Sequence, residues 1–270
     1  MIRRLPPRWR LVPKVLPLVG VAAAAKAVID VTGAEGLDVN PLFTGLVAAN
    51  VFLLGFLLAG TLADYKESER LPGELAASLQ SLADECQILY RDKQAPVARE
   101  CVDHLAVLAE TLQAWFNGRV QTDAALDEID ALNRFFLAFE PLTQPNFIVR
   151  MKQEQALIRR MVIRIATIRD TSFVGAGYVI AYITSVLLVG ALLFVEITPF
   201  VAALFFVCAI TFLLAYMIVL IQDLDDPFEY GNGEVGAAEV SLRPLEQVIK
   251  RLSRDSASMG QLRKTSAERA

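Results

Sequence analysis

Residues 41–63 read PLFTGLVAANVFLLGFLLAGTLA, and no side chain in this stretch carries a charge. An α-helix needs about 20 mostly apolar residues to cross the hydrocarbon core of a bilayer. The stretch therefore predicts a membrane-spanning helix. Two more apolar runs, Val174–Val195 and Phe200–Ile221, are separated only by Glu196-Ile-Thr-Pro199. These two runs predict a second pair of spans, a helical hairpin with a short outer turn.

Upstream of these spans, Val15–Val31 is a weaker candidate because it is rich in alanine and contains Lys26 and Asp30. The basic residues before it would also suit a signal peptide. We favour a retained first helix, since no clear small-residue cleavage site follows. The sequence then predicts four spans. Lys26 and Asp30 are four positions apart, so we expect them to pair with each other on one helix face.

The composition agrees with a membrane protein. Apolar residues make up 54% of the chain and charged residues 21%, which makes an ordinary soluble enzyme an unlikely class and excludes a disordered chain. The net charge of −4 gives no basic field for nucleic acid. The three cysteines form no short-spaced pair, and the one histidine, His104, is expected to be a helix-surface or packing residue rather than a metal ligand.

The basic residues predict the orientation. Of 26 lysines and arginines, 25 lie before Val15 or after Ala63, and the predicted outer segments 32–40 and 196–199 contain none. Basic residues accumulate on the cytoplasmic side of a membrane. We therefore expect a membrane protein with both termini in the cytoplasm. The expected domains are a cytosolic tail (1–14), two spans (15–63), a cytosolic helical region (64–170), two spans (171–222) and an acidic run with a C-terminal tail (223–270).

The region between the second and third spans is helical by its pattern, so the predicted fold class is all-α. Apolar residues recur at helical spacing, and local signals predict helix starts at Pro72, at Pro96 and at the cap Thr122. A fourth helix is expected from about residue 147 to 168, leading into the third span.

This fourth helix is basic, while the region before it is acidic. Residues 147–170 contain six basic and two acidic side chains, whereas residues 64–145 contain 15 acidic and seven basic ones. Juxtamembrane basic residues commonly contact anionic lipid headgroups. The alternative is that some of them line a cytoplasmic pathway for anions.

Within residues 41–63, Phe52 and Phe56 are four positions apart and share a helix face with Ala48. A ring of such faces around a symmetry axis would form a narrow apolar constriction, which can gate by dewetting. The alternative is that the two rings pack against a neighbouring helix or lipid.

Just after the last span, four carboxylates lie within seven positions: Asp223, Asp225, Asp226 and Glu229. Carboxylate oxygens at this density suit a hard cation such as calcium. The alternative is a solvated helix end.

Several of these features together resemble the bestrophin anion channels, and in particular their bacterial branch. The resemblance lies in FLLGF (residues 52–56) followed by a charged exit and Leu71-Pro72, in Ile168-Arg-Asp-Thr-Ser-Phe before the third span, and in the acidic run with Pro227-Phe228-Glu229. The order of two spans, a helical segment, two spans and an acidic run is also similar.

The resemblance implies a bestrophin-like homopentameric channel for small anions, chloride or bicarbonate, with membrane lipids as its surroundings. It assigns Phe52 and Phe56, with Ala48 one turn earlier, to the neck of a pore lined by the second span. It assigns a calcium clasp to Asp223, Asp225, Asp226 and Glu229. A second constriction in the cytosolic region would be formed by residues of the basic helix, for which the candidates are Ile158, Met161 and Ile165.

Two other functions remain open from the residues alone. One is a non-conducting membrane scaffold or sensor built on the acidic helical region. The other is a membrane enzyme, which is disfavoured because the sequence shows no nucleophile–base or metal pair within the spans. A channel needs no catalytic residues and no cofactor, calcium being the one ion that the acidic run suggests.

Overall fold

The structure, a computed structural model, describes residues 9–38, 40–170, 175–225, 227–228 and 240–267. These residues form eight α-helices and no strand, which confirms the predicted all-α class. The helices are α1 (Val12–Thr32), α2 (Pro41–Lys93), α3 (Pro96–Phe116), α4 (Thr122–Phe139), α5 (Pro145–Asp170), α6 (Gly175–Leu193), α7 (Phe200–Asp225) and α8 (Arg243–Ala267).

The chain divides into two compact units. The apolar unit contains the described residues up to Tyr65 and from Gly175 to Pro227, and so holds α1, the first half of α2, α6 and α7. The polar unit contains Lys66–Asp170, Phe228 and the described residues from Val240 onwards. This division into compact units does not test the expected domain boundaries at residues 64 and 171. Those boundaries stay predictions of membrane topology.

By length and composition, α1, α2 and α7 could each cross a membrane. Within α6 the described apolar stretch, Gly177–Leu193, is shorter. Its 17 residues rise about 25 Å, against a hydrocarbon thickness of about 30 Å. The start of the third predicted span, residues 171–174, lies outside the described residues, so the count of four spans stays a prediction.

The apolar unit has a core built from three of its helices. Leu54 and Leu57 of α2 pack with apolar side chains of α6 and α7. A second cluster joins α1 to the same pair of helices, through Ala22, Leu192 and Val207. The core therefore buries one face of α2, and the opposite face of that helix makes no contact with this core.

The second predicted span and the first predicted helix of the middle region form one continuous helix, α2. The prediction that a helix begins at Pro72 is therefore wrong. A proline inside a helix removes one backbone hydrogen bond and usually costs about 3 kcal/mol. Pro72 is buried, as are Leu71 and Leu75 beside it. Packing on both sides of the proline can offset the lost hydrogen bond.

The polar unit is held together by amphipathic helices whose apolar stripes match the predicted spacing. The buried side chains of α3 include Leu105, Leu108 and Leu112, and those of α4 include Ile129, Leu132 and Phe136. Pro96 begins α3 as expected, and Gly118 follows it with a φ of 69°. That left-handed conformation is easy only for glycine, which explains the chain reversal after α3.

Two side chains of this unit have partners of interest. His104 is buried, its Nε2 lies 2.9 Å from the carbonyl oxygen of Glu128, and its ring lies against Phe135. This is the packing role expected for a lone histidine. Thr122 was expected to cap α4, but its hydroxyl instead accepts a hydrogen bond from the indole of Trp115 at 3.1 Å. The cap position itself is occupied by Gln121, without a side-chain cap.

Candidate functional site

The first half of α2 has two opposite faces. One is a stripe of buried and half-buried side chains at spacings of three and four, which the core explains: Phe43, Val47, Asn50, Leu54, Leu57 and Thr61. Successive residues of an α-helix are rotated by about 100° around its axis. Ala48, Phe52 and Phe56 therefore lie on the face directly opposite this stripe.

The other residues that the structure describes leave that opposite face uncovered. Phe52 is 76% exposed and Phe56 is 67% exposed, and Ala48 is exposed as well. Leu54, between the two phenylalanines in sequence, is 1% exposed. Neither ring is therefore buried against another described helix of the same chain. The alternative, that the rings pack against a helix of a neighbouring subunit or against lipid, stays open. In the membrane, these rings can face a symmetry axis, a second copy of the chain or lipid. The neck itself stays a prediction.

One polar side chain interrupts the buried stripe. The side-chain Nδ2 of Asn50 donates a hydrogen bond to Ser185 Oγ at 3.0 Å. The hydroxyl of Thr184 donates to Asn50 Oδ1 at 2.6 Å. Two consecutive residues of α6 thus hold a single amide of α2.

Lys26 of α1 is completely buried and does not pair with Asp30, which corrects the expected i, i+4 pair. Its ammonium forms an ion pair with Glu35 and donates hydrogen bonds to the carbonyl oxygens of Leu193 at 3.1 Å and Val195 at 2.7 Å. An ammonium has three protons to donate, and here all three have acceptors.

These bonds join two connections, the one after α1 and the one after α6. Backbone hydrogen bonds support the same junction: the amides of Gly36 and Leu37 donate to Phe194 O, and that of Glu196 donates to Leu37 O at 2.8 Å. Lys26 therefore acts as a staple at one end of the apolar unit.

The candidates for a second constriction lie on α5. Ile158, Met161 and Ile165 are all buried within the polar unit, whereas Leu157 and Ile163 on the same helix are exposed. Side chains that line an axis between subunits would be exposed in a single chain. Burial of the three candidates thus gives no support to their lining such an axis, and the constriction stays a prediction.

Half of the basic residues of α5 form ion pairs with acidic residues of the polar unit. Arg150 pairs with Glu85 at 2.7 Å, Arg159 pairs with Asp130, and Arg164 makes a two-pronged contact with Glu67. Hydrogen bonding from Arg164 holds the pKa of Glu67 below its ordinary value. These ion pairs explain why an acidic bundle surrounds a basic helix, an explanation that the sequence pattern did not suggest.

Two basic residues of α5 have other surroundings. Arg160 is exposed and makes no ion pair with any residue that the structure describes. Arg169 lies among three aromatic rings, 4.8 Å from the centroid of Trp115 and 5.7 Å from that of Phe228. Its guanidinium also donates to Trp115 O and Phe116 O at the end of α3.

This arginine–aromatic contact was missed by the sequence analysis. A cation beside the last carbonyls of a helix and over aromatic faces is favourable on both counts. Its sequence signal is the pair Trp115-Phe116 directly before Asn117-Gly118, which places two rings at a helix end. Phe228 is buried, and the Arg169 guanidinium is one of its contacts within the polar unit.

The acidic run is only partly visible. Asp223 and Asp225 lie on the last turn of α7, and Asp226 and Glu229 lie outside the described residues. Within the described part of the chain, no group of three histidine, cysteine, aspartate or glutamate side chains could hold a metal ion. The calcium clasp therefore stays a prediction.

The fold is similar to that of solved membrane proteins. No protein-family model and no curated protein matches the sequence. A variant of a bacterial bestrophin homologue from Klebsiella pneumoniae is 16% identical with a TM-score of 0.71, over 91% of this chain and 98% of that chain. A second variant is 19% identical with a TM-score of 0.67, over 94% and 98%. A further structure of that homologue, phased by Zn-SAD, is 16% identical with a TM-score of 0.65, over 93% and 97%.

Identities this low establish the fold and leave the activity open. The likeness nevertheless extends over nearly the whole of both chains, so it includes both the apolar and the polar helices. With its long apolar helices, this chain is a membrane protein that has the fold of the bacterial bestrophin homologues.

Proposed function

We propose that this chain is one subunit of an oligomeric ion channel, a homopentamer like the bestrophin channels it resembles, that passes small anions such as chloride or bicarbonate. The pore is lined by the first half of α2, with its neck at Ala48, Phe52 and Phe56. The protein lies in the bacterial inner membrane with both termini in the cytoplasm.

The observation that carries this proposal is the uncovered face of α2. Phe52 and Phe56 are exposed while Leu54 and Leu57 are buried, so the helix directs its phenylalanines away from its own chain. In a ring of subunits, this face can meet the axis. No charged side chain occurs between residues 41 and 63, so the neck would be apolar and narrow, as in a dewetting gate.

An apolar neck sets no preference for the sign of the ion. Two features support anions. The edge of a phenyl ring carries partial positive charge, so rings presented edge-on tolerate an anion. Arg160 on α5 is an exposed cation without an ion-pair partner among the described residues, so it can raise the local concentration of anions.

Reconstitution of the purified protein in planar bilayers tests the proposal. Under a potassium chloride gradient, we expect discrete conductance steps and a reversal potential close to that of chloride. Mass measurement of the same sample in detergent should give five subunits. An intact oligomer without conductance would instead support the non-conducting scaffold or sensor, and a reversal potential close to that of potassium would overturn the anion assignment.

A separate prediction concerns the acidic run. No cofactor is required for conduction, but if Asp223, Asp225, Asp226 and Glu229 bind calcium, the ion should stabilise the folded protein. Calcium at 100 times its dissociation constant adds about 2.7 kcal/mol to the free energy of unfolding. A melting curve in detergent should then shift upwards by several degrees relative to a sample containing EGTA.

The matched control is Asp223→Asn/Asp225→Asn, which should abolish the calcium shift. Magnesium serves as the second control, because it prefers a smaller octahedral site than calcium. Equal melting temperatures with calcium and with EGTA would leave the solvated helix end as the role of the acidic run.

A further inference from the structure

We propose that Asn50 is the positioning residue that fixes the rotation of α2 about its own axis, and thereby the direction of Phe52 and Phe56. The functional consequence rests on the proposed pore. The positional consequence rests only on the contacts within the apolar unit.

Asn50 lies on the buried stripe of α2 and is 3% exposed. Between Gly45 and Gly60 it is the only polar side chain in the sequence. Its amide group bonds to Ser185 at 3.0 Å and to Thr184 at 2.6 Å, so both of its polar atoms meet hydroxyls of α6. Ser185 is itself buried.

Apolar contacts alone define the rotation of this helix poorly. Leucine, valine, phenylalanine and alanine occur on every side of residues 45–60, and lipid tails are about as apolar as these side chains. Turning α2 would therefore exchange one apolar surface for another. Turning Asn50 away from α6 would leave its amide group without hydrogen-bond partners in an apolar setting, which is strongly unfavourable. The Thr184 hydroxyl would keep a backbone acceptor, Ile180 O at 2.8 Å, so the cost falls mainly on Asn50.

The geometry connects this contact to the phenylalanines. Phe52 follows Asn50 by two positions, a rotation of about 200° around the helix axis. An amide held against α6 therefore places the Phe52 ring on the opposite side, where it is exposed. Phe56 lies one turn further along the same exposed side, so one contact sets the direction of both rings.

The test removes the hydrogen bonds and keeps the volume. Asn50→Leu replaces the amide by an apolar side chain of similar size. Asn50→Ser/Ser185→Asn exchanges the two groups across the helix pair and can restore a bond between them. Thr184→Val/Ser185→Ala removes the partners and leaves Asn50 in place. Size-exclusion chromatography identifies which variants keep the native oligomer.

The first readout reports rotation without needing conduction. In a Cys208→Ser background, where the remaining Cys86 and Cys101 are buried, one cysteine is introduced by Phe52→Cys or by Leu53→Cys. Its rate of modification by a water-soluble methanethiosulfonate is measured. With Asn50 present we expect the residue-52 cysteine to react faster. In Asn50→Leu the ratio of the two rates should fall severalfold, and in the exchanged variant it should return towards its original value.

The second readout is conductance. A turned helix presents a different neck, so single-channel conductance of assembled Asn50→Leu should differ about twofold or more from that of the wild-type protein, with recovery in the exchanged variant. If Asn50→Leu does not assemble, the Thr184→Val/Ser185→Ala variant is scored in both assays instead. Unchanged labelling ratios in an assembled variant would overturn the positioning role. A silent wild-type protein with changed labelling ratios would overturn the pore alone.

Discussion

Replacing both neck phenylalanines by alanine, Phe52→Ala/Phe56→Ala, should raise single-channel conductance by about twofold or more and weaken gating. Two rings per subunit would leave the axis, and small side chains would line positions 48, 52 and 56. A wider apolar constriction holds water more readily, so hydrated ions meet a lower barrier. Because both rings are largely exposed in the single chain, their removal opens no cavity inside it. The oligomer should therefore persist.

The matched control is Leu54→Ala/Leu57→Ala on the buried face of the same helix. These side chains belong to the core with α6 and α7, and truncating a buried leucine costs about 2–5 kcal/mol. We expect this variant to melt earlier or to disassemble without gaining conductance. Bilayer recording beside size-exclusion profiles compares the two pairs. If the phenylalanine variant is the one that is disassembled and silent, its rings pack between helices and the neck assignment fails.

Lys26→Met should lower the free energy of unfolding by about 3–5 kcal/mol, the usual cost of removing one partner of a buried ion pair. Methionine retains the apolar stem and loses the ammonium. Glu35 then lacks its partner, and two carbonyl oxygens lose their donor. Thermal unfolding in detergent should show a melting temperature about 6–20 °C lower for a chain of this size. The anion-to-cation permeability ratio should be unchanged.

The control for Lys26 is Asp30→Asn. Asp30 is exposed, and its side chain has no ion-pair partner among the described residues, so this variant should melt like the wild-type protein. If Lys26→Met and Asp30→Asn lowered the melting temperature equally, the result would instead support the Lys26–Asp30 pair that the sequence suggested. A large change in the permeability ratio of Lys26→Met would move this lysine from the structural staple to the ion pathway.

The sequence predicted those features that depend on neighbouring residues. Pro96 acts within one turn of the chain, and it begins α3 where expected. The spacing of Phe52 and Phe56 likewise places them on one face, because helix geometry requires it. Spacing and composition together indicate that residues 41–63 form an apolar helix on which Phe52 and Phe56 share one face.

Features that depend on distant residues were not predicted. The partners of Lys26 include carbonyl oxygens 167 and 169 positions away, and carbonyls carry no sequence signal. Local rules predict a helix start at Pro72 because they do not show that packing can hold a helix through a proline. On α5, apolar residues occur on more than one side, so spacing could not decide that Ile158 and Ile165 face inwards.

The Lys26 staple has a consequence for how the chain is made. Val195 is synthesised 169 residues after Lys26, a delay of about 8–35 s at ordinary rates of translation. During that interval α1 carries an ammonium whose carbonyl partners do not yet exist. Glu35, only nine residues later, can neutralise it almost at once. Lys26 and Glu35 can therefore hold the first helix in the bilayer as a neutral ion pair. The remaining bonds of Lys26 form when α6 and the connection after it bring their carbonyl oxygens to the ammonium, and they fix the order in which the helices insert.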